Sequence, residues 1–126
     1  MGANDLDIKY EKNGKALVVE LTIEKVIADW WLRHVVDQTT VQTWEGRTDD
    51  PHADVAAVNL ATLKTGSSLN WLVLLYGPNK DMTIQVAIDV RQGDVLLGSK
   101  KIDVSIPAKT AKQEAGSISV TAKAAA

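Results

Sequence analysis

Apolar residues recur at every second position through much of this chain, the period of a strand with one buried face. Leu6, Ile8 and Tyr10 alternate with Asp5, Asp7, Lys9 and Glu11, and Leu17, Val19, Leu21 and Ile23 alternate again further on. Asn13-Gly14 between the two runs is a strong hairpin signal, because both residues accept the positive φ of a type I′ turn. With Lys12 facing Lys15, the expected hairpin sets Tyr10 against Leu17, Ile8 against Val19 and Leu6 against Leu21, all on one face. The opposite face then sets Asp7 against Glu20, a like-charge pair that Lys9 and Lys25 relieve diagonally or that a cation occupies.

No Gly or Pro interrupts Lys15–Glu45, yet one strand cannot be that long, so a break is expected within Glu24–Asp29. Strands are expected over Trp30–Val36 and Thr40–Glu45. If Asp37-Gln38 closes them into a hairpin, Val36 faces Thr39, Trp31 faces Trp44, and Arg33 pairs near Gln42. Gly46–Asp54 reads as a loop, Ala57–Leu63 as a strand and Thr65–Ser68 as a turn. Leu69–Tyr76 is nearly all apolar, as in a central strand covered on both faces, with Trp71 in the core. After a turn at Gly77–Lys80, Met82, Ile84, Val86, Ile88 and Val90 alternate with polar or small residues. Gln92-Gly93-Asp94 turns the chain, and Val95–Ile106 returns with Ile102, Val104 and Ile106 inward and a bulge expected at Gly98. Pro107–Ala115 holds good helix formers closed by Gly116, which predicts a short helix, and Ser117–Lys123 a last strand.

About eight short strands joined mostly by turns make an all-β protein: an antiparallel β-sandwich or flattened barrel with one short helix near its end. The 126 residues suit one domain, 1–126, able to bury roughly two-thirds of its unfolded surface. Fourteen Val, eight Ile and ten Thr reinforce the β reading, because branched side chains pack well on a pleated surface. There is no cysteine, which excludes disulfides, thiolate nucleophiles and Cys-based zinc sites together. The N-terminal stretch carries Asp5, Asp7 and Glu11 and reads as no targeting signal.

The formal charge of −2 supplies no basic excess for phosphate neutralisation, so nucleic acid is not an expected partner. The distribution is uneven, with Lys100, Lys101, Lys109, Lys112 and Lys123 against only Asp103 and Glu114 in the last 28 residues. Such a run reads first as solvated surface. No nucleophile elbow, phosphate loop, zinc-protease helix or dinucleotide fingerprint occurs, and a Ser-His-Asp set assembled across the fold has no local support. An enzyme is therefore not expected.

Asp49, Asp50, His52 and Asp54 form the densest set of cation ligands, for Ca²⁺ or a transition metal, although turns favour Asp and Pro for their own geometry. The tryptophans are the stronger lead. Trp30 and Trp31 are adjacent, so in a strand they point to opposite faces and one is left for contact unless both faces are covered. Trp30 or Trp31 with Arg33, Gln42 and Trp44 would form an aromatic and polar patch beside the loop Glu45–Asp54. Sugar rings stack on such a patch and lipid headgroups border one. The sequence thus suggests a lectin-like glycan-binding protein, with a membrane-active sandwich and a structural homo-oligomer as alternatives. Edge strands that need covering make self-association an expectation in every case.

Overall fold

The computed structural model describes residues 5–12, 14–23, 26–48, 52–58, 63 and 67–123, with positions 48 and 52–58 described as backbone. Every regular element among them is a strand: β1 (Leu6–Tyr10), β2 (Leu17–Ile23), β3 (Ile27–Val36), β4 (Thr39–Thr48), β5 (His52–Val58), β6 (Ser67–Tyr76), β7 (Met82–Gln92), β8 (Val95–Ile106) and β9 (Ala111–Ala122). They build two sheets, one ordered β1-β9-β6-β3-β4 and the other β5-β2-β7-β8. Neither sheet closes on itself, so the architecture is an open sandwich and not a barrel.

The alternation does what its period demands. Leu17, Leu21, Leu32, Leu69, Ile88 and Ile118 lie fully buried between the sheets, with Trp71 among them. Each such Leu or Ile contributes roughly 1.5–3 kcal/mol by leaving water. Ile102 is half-buried while Val104 and Ile106 are buried, which keeps the inward face expected for β8.

Pairing departs from expectation at the amino end. β1 does not fold back on β2; it runs parallel to β9, with Leu6 opposite Ile118 and Ile8 opposite Val120. β2 sits in the other sheet, between β5 and β7. The Asn13-Gly14 link therefore crosses from one layer to the other, although Asn13 itself lies outside the described residues. What holds this crossing is Gln92 at the end of β7. Its side-chain amide accepts from the Glu11 backbone N–H at 2.8 Å and donates to the carbonyls of Glu11 and Lys15 at 2.8 and 2.9 Å. The apolar alternation serves equally well for two strands facing each other across a core, and a buried amide satisfies the turn that a hairpin ladder would have satisfied. Glu20 consequently meets Asp89, not Asp7.

β2 ends at Ile23 and β3 begins at Ile27, so Ile27–Asp29 of the expected break are strand; of residues 24–26 only Val26 is described. Asp37-Gln38 does close the β3–β4 hairpin, with Val36 opposite Thr39 and both turn residues at positive φ (50° and 67°). β4 then continues through Gly46 and Arg47 to Thr48 and β5 begins at His52, so the loop expected over Gly46–Asp54 is strand over its first three and its last three residues. β5 shares only Ala57 and Val58 with the strand expected over Ala57–Leu63, and residues 59–62 lie outside the described part. Ser67 and Ser68, expected in a turn, belong to β6.

β6 is the middle strand of its sheet, but among the described residues only one of its faces is fully covered; Leu72, Leu74 and Tyr76 stand half-buried on the other. The β7–β8 hairpin turns at Gly93, and the register slips between Val90 and Arg91, where Gly98 and Leu96 are the partners and Leu97 is left over. That is the bulge expected at Gly98. No helix follows Pro107. Thr110 N–H donates to the Pro107 carbonyl at 3.2 Å to make a tight turn, and Ala111–Ala115 are the first residues of β9, paired with Leu72–Tyr76 of β6. A helix here would have left the central strand without a ladder partner, and helix propensity is too weak a preference to outweigh that.

Candidate functional site

The outer face of the five-stranded sheet carries the most distinctive surface. On β3, Asp29, Trp31 and Arg33 alternate outward while Ala28, Trp30, Leu32 and His34 turn in. One cross-strand row runs Glu45, Trp31, Leu72 and Ala115 over β4, β3, β6 and β9. The row on one side is Arg47, Asp29, Leu74 and Gln113; the row on the other is Thr43, Arg33, Asn70 and Ser117. The half-buried Trp31 and Leu72 thus lie side by side between two bordering rows that carry polar groups.

The first border is a network spanning three strands. Arg47 on β4 grips Asp29 on β3 through two hydrogen bonds, Nε to Oδ1 at 2.7 Å and a terminal nitrogen to Oδ2 at 3.1 Å. The Tyr76 hydroxyl on β6 donates to the same carboxylate at 2.5 Å, and the Arg47 guanidinium carbon lies 5.6 Å from the Tyr76 ring centre. The Arg47 hydrogen bond, then that of Tyr76, holds the Asp29 carboxyl below its ordinary pKa of 3.8, against a smaller opposing effect of burial. Donating to that carboxylate pushes the Tyr76 hydroxyl above its ordinary 10.0. Across neutral pH the network is therefore an anion, a cation and a neutral phenol locked in place. In the second border Ser117 donates its hydroxyl to Asn70 Oδ1 at 2.8 Å and its N–H to Asp5 Oδ1 at 2.9 Å. A shallow depression of about 390 Å³ opens beside Trp31, lined also by Asp29, Trp30, Glu45, Gly46 and Arg47.

The expected site residues divide between two faces. Trp31 and Arg33 are on this surface. Trp30 is 5% exposed and belongs to the core, against Gly46. The expected Trp31–Trp44 pair does not form, because an extra residue, Val41, bulges from β4 between the partners of Val35 and His34. That one-residue slip turns Trp44 towards the inner side, opposite Leu32, where it packs against the core, and sets Glu45 against Trp31. Gln42 goes the same way, opposite His34, and Arg33 faces Thr43.

Of the candidate cation ligands, Asp49 and Asp50 lie outside the described residues, and His52 and Asp54 stand in the backbone of β5 opposite Ile23 and Leu21. Among the described residues no group of three or more His, Asp or Glu side chains gathers. His34 shares a hydrogen bond of 3.0 Å with Ser67 through Nε2, but both are buried and Nδ1 has no hydrogen-bond partner among the described residues. A nucleophile needs both access and an oriented base, and this pair as it stands supplies neither.

Sequence reasoning missed Asp29, Arg47 and Tyr76. Asp29 fell in the expected break, Arg47 in the expected loop, and Tyr76 at the end of a run read as wholly covered. The alternation Asp29-Trp31-Arg33 was available as a signal once the strand was started early enough. No family model, curated protein or solved structure matches the chain.

Proposed function

We propose that this chain is a non-enzymatic binding protein that holds a glycan on the outer face of its five-stranded sheet, with Trp31 as the stacking platform. One observation carries the reading: a half-buried, outward-facing indole stands opposite Leu72, between the Asp29–Arg47–Tyr76 network and a row of amide and hydroxyl groups. Sugar rings offer apolar C–H faces to an indole and hydroxyls to a carboxylate, guanidinium or amide, so stacking and polar contacts converge on one ligand class. The network arrives already ordered by its own hydrogen bonds, which reduces the entropy lost on binding. The lipid-surface alternative, with exposed Trp at the headgroups and Lys100, Lys101, Lys109 and Lys112 on anionic lipid, has less support, because Lys100 and Lys101 belong to β8 in the other sheet and of the four only Lys112, in β9, shares a sheet with Trp31.

The test is a glycan array probed with the wild-type chain and with Trp31→Ala, each with Ca²⁺ and with chelator. The wild type should retain a defined set of glycans, and the substitution should weaken them at least about tenfold, as truncation of a central aromatic anchor does. It should keep its fold, since Trp31 is outside the core. An array without hits, or affinities that ignore Trp31→Ala, would overturn the reading.

A further inference from the structure

β8 ends its sheet, with β7 on one side and, among the described residues, no strand on the other. β1 of the opposite layer stands over the start of this edge, where Ile8 Cγ2 comes within 2.9 Å of the place a Cβ on Gly98 would take. Past the bulge no other described strand pairs with the edge, and from Ser99 to Ile106 β8 pairs residue for residue with β7. Its outward side chains are, in order, Ser99, Lys101, Asp103 and Ser105, all exposed. Neither Lys101 nor Asp103 has an ion-pair or side-chain hydrogen-bond partner among the described residues.

We propose that two copies of this chain associate through this edge, β8 against β8 in antiparallel register about Ile102. Their four-stranded sheets then become one continuous sheet. About that centre the outward series is its own complement: Lys101 comes opposite Asp103 of the second copy, Asp103 opposite its Lys101, and Ser99 opposite its Ser105. On the inner side Ile102 meets its counterpart across the axis, and the half-buried Lys100 comes opposite Val104 of the second copy, where its aliphatic stem packs and its ammonium reaches outward.

Charge selects the register. Sliding the pairing so that the axis falls on Lys101 sets ammonium against ammonium, and placing it on Asp103 sets carboxylate against carboxylate, both unfavourable directly across strands. A slip that opposes an outward residue to an inward one breaks the alternation of faces. Lysine on an edge strand normally deters pairing. With Asp103 two residues on, the deterrent stands against other strands and is cancelled for the chain's own copy. Because opposed residues in an antiparallel pair share a face, both copies show the same side of the sandwich in the same direction. The two Trp31 surfaces then point the same way, and the dimer is bivalent for a repeating ligand; this consequence, unlike the dimer itself, rests on the glycan reading.

The experiment is sedimentation equilibrium on the wild-type chain, on Asp103→Lys, on Lys101→Asp and on the double swap. The wild type should dimerise. Each single reversal replaces both symmetric attractions by repulsions and should weaken dimerisation by about tenfold or more. The double swap restores opposite charges in the same register and should recover most of the loss, which also shows that the singles have not merely unfolded. A wild type that stays monomeric at its highest soluble concentration, single reversals that leave the dimer intact, or a double swap that fails to recover would each overturn the proposal. Trp31→Ala should leave the dimer unchanged, so failure here and failure of glycan binding are read separately.

Discussion

Gly46 shows how one missing side chain sets the inner surface. It lies opposite Trp30, and a Cβ there would come within 2.7–2.9 Å of three atoms of the indole. An indole cannot bend aside as a lysine tip can, so Gly46→Ala should displace Trp30 and destabilise the fold by about 1–3 kcal/mol, the usual cost of overpacking. Chemical denaturation checks the magnitude, and a red shift of native tryptophan emission checks the cause. His34 is the second residue whose setting has a measurable consequence. Burial disfavours the imidazolium and holds the pKa below its ordinary 6.5, so the folded state stays neutral where the unfolded chain takes up a proton. Stability is then complete above about pH 6.5 and declines as pH falls from there towards the depressed folded value, by at most ~1.4 kcal/mol per pH unit. Urea midpoints at pH 7.5 and 5.5 should differ in that direction, and His34→Gln should flatten the difference. Neither effect was legible in the sequence. A lone histidine on an alternating strand announces burial, but its hydrogen bond to Ser67 depends on β3 and β6 being neighbours.

Among the elements, the β3–β4 hairpin does most to shape the candidate site. Its Asp37-Gln38 turn holds two residues with side chains at positive φ, a conformation costing an L-residue about 1–2 kcal/mol. Gln38→Gly should therefore raise stability by roughly 0.5–1 kcal/mol after the added freedom of the unfolded chain is counted. A thermal midpoint that falls in this variant would contradict the assignment of strain. The existence of this hairpin, of β7 and of β8 was legible, because alternation and turn residues are local signals. The bulge at Val41 was not. Nothing in Thr39-Thr40-Val41-Gln42 distinguishes a regular strand from one with an extra residue, yet that residue decides that Trp44 turns inward and that Glu45, not Trp44, stands beside Trp31. Half of the expected aromatic patch was lost through a slip of one position.

For the molecule as a whole, local preference and global pairing disagree in two places, and pairing wins in both. Asn13-Gly14 has the composition of a hairpin turn, yet β1 and β2 lie in different layers, and Gln92 holds Glu11 and Lys15 on either side of it from 77–81 positions away in sequence. Pro107–Gly116 has the composition of a helix but supplies a turn and the start of β9, because the central strand β6 needs a partner along its whole length. What could be read from the chain alone was which positions are buried and that they repeat with a period of two; these follow from each residue's own chemistry and its immediate neighbours. Which strand lies beside which, where a register slips, and hence which of four tryptophans is left facing outward, arose only from packing distant segments together. Main-chain hydrogen bonds are nearly the same for every pairing of alternating strands, so the choice among pairings is made by side chains that meet only in the folded protein.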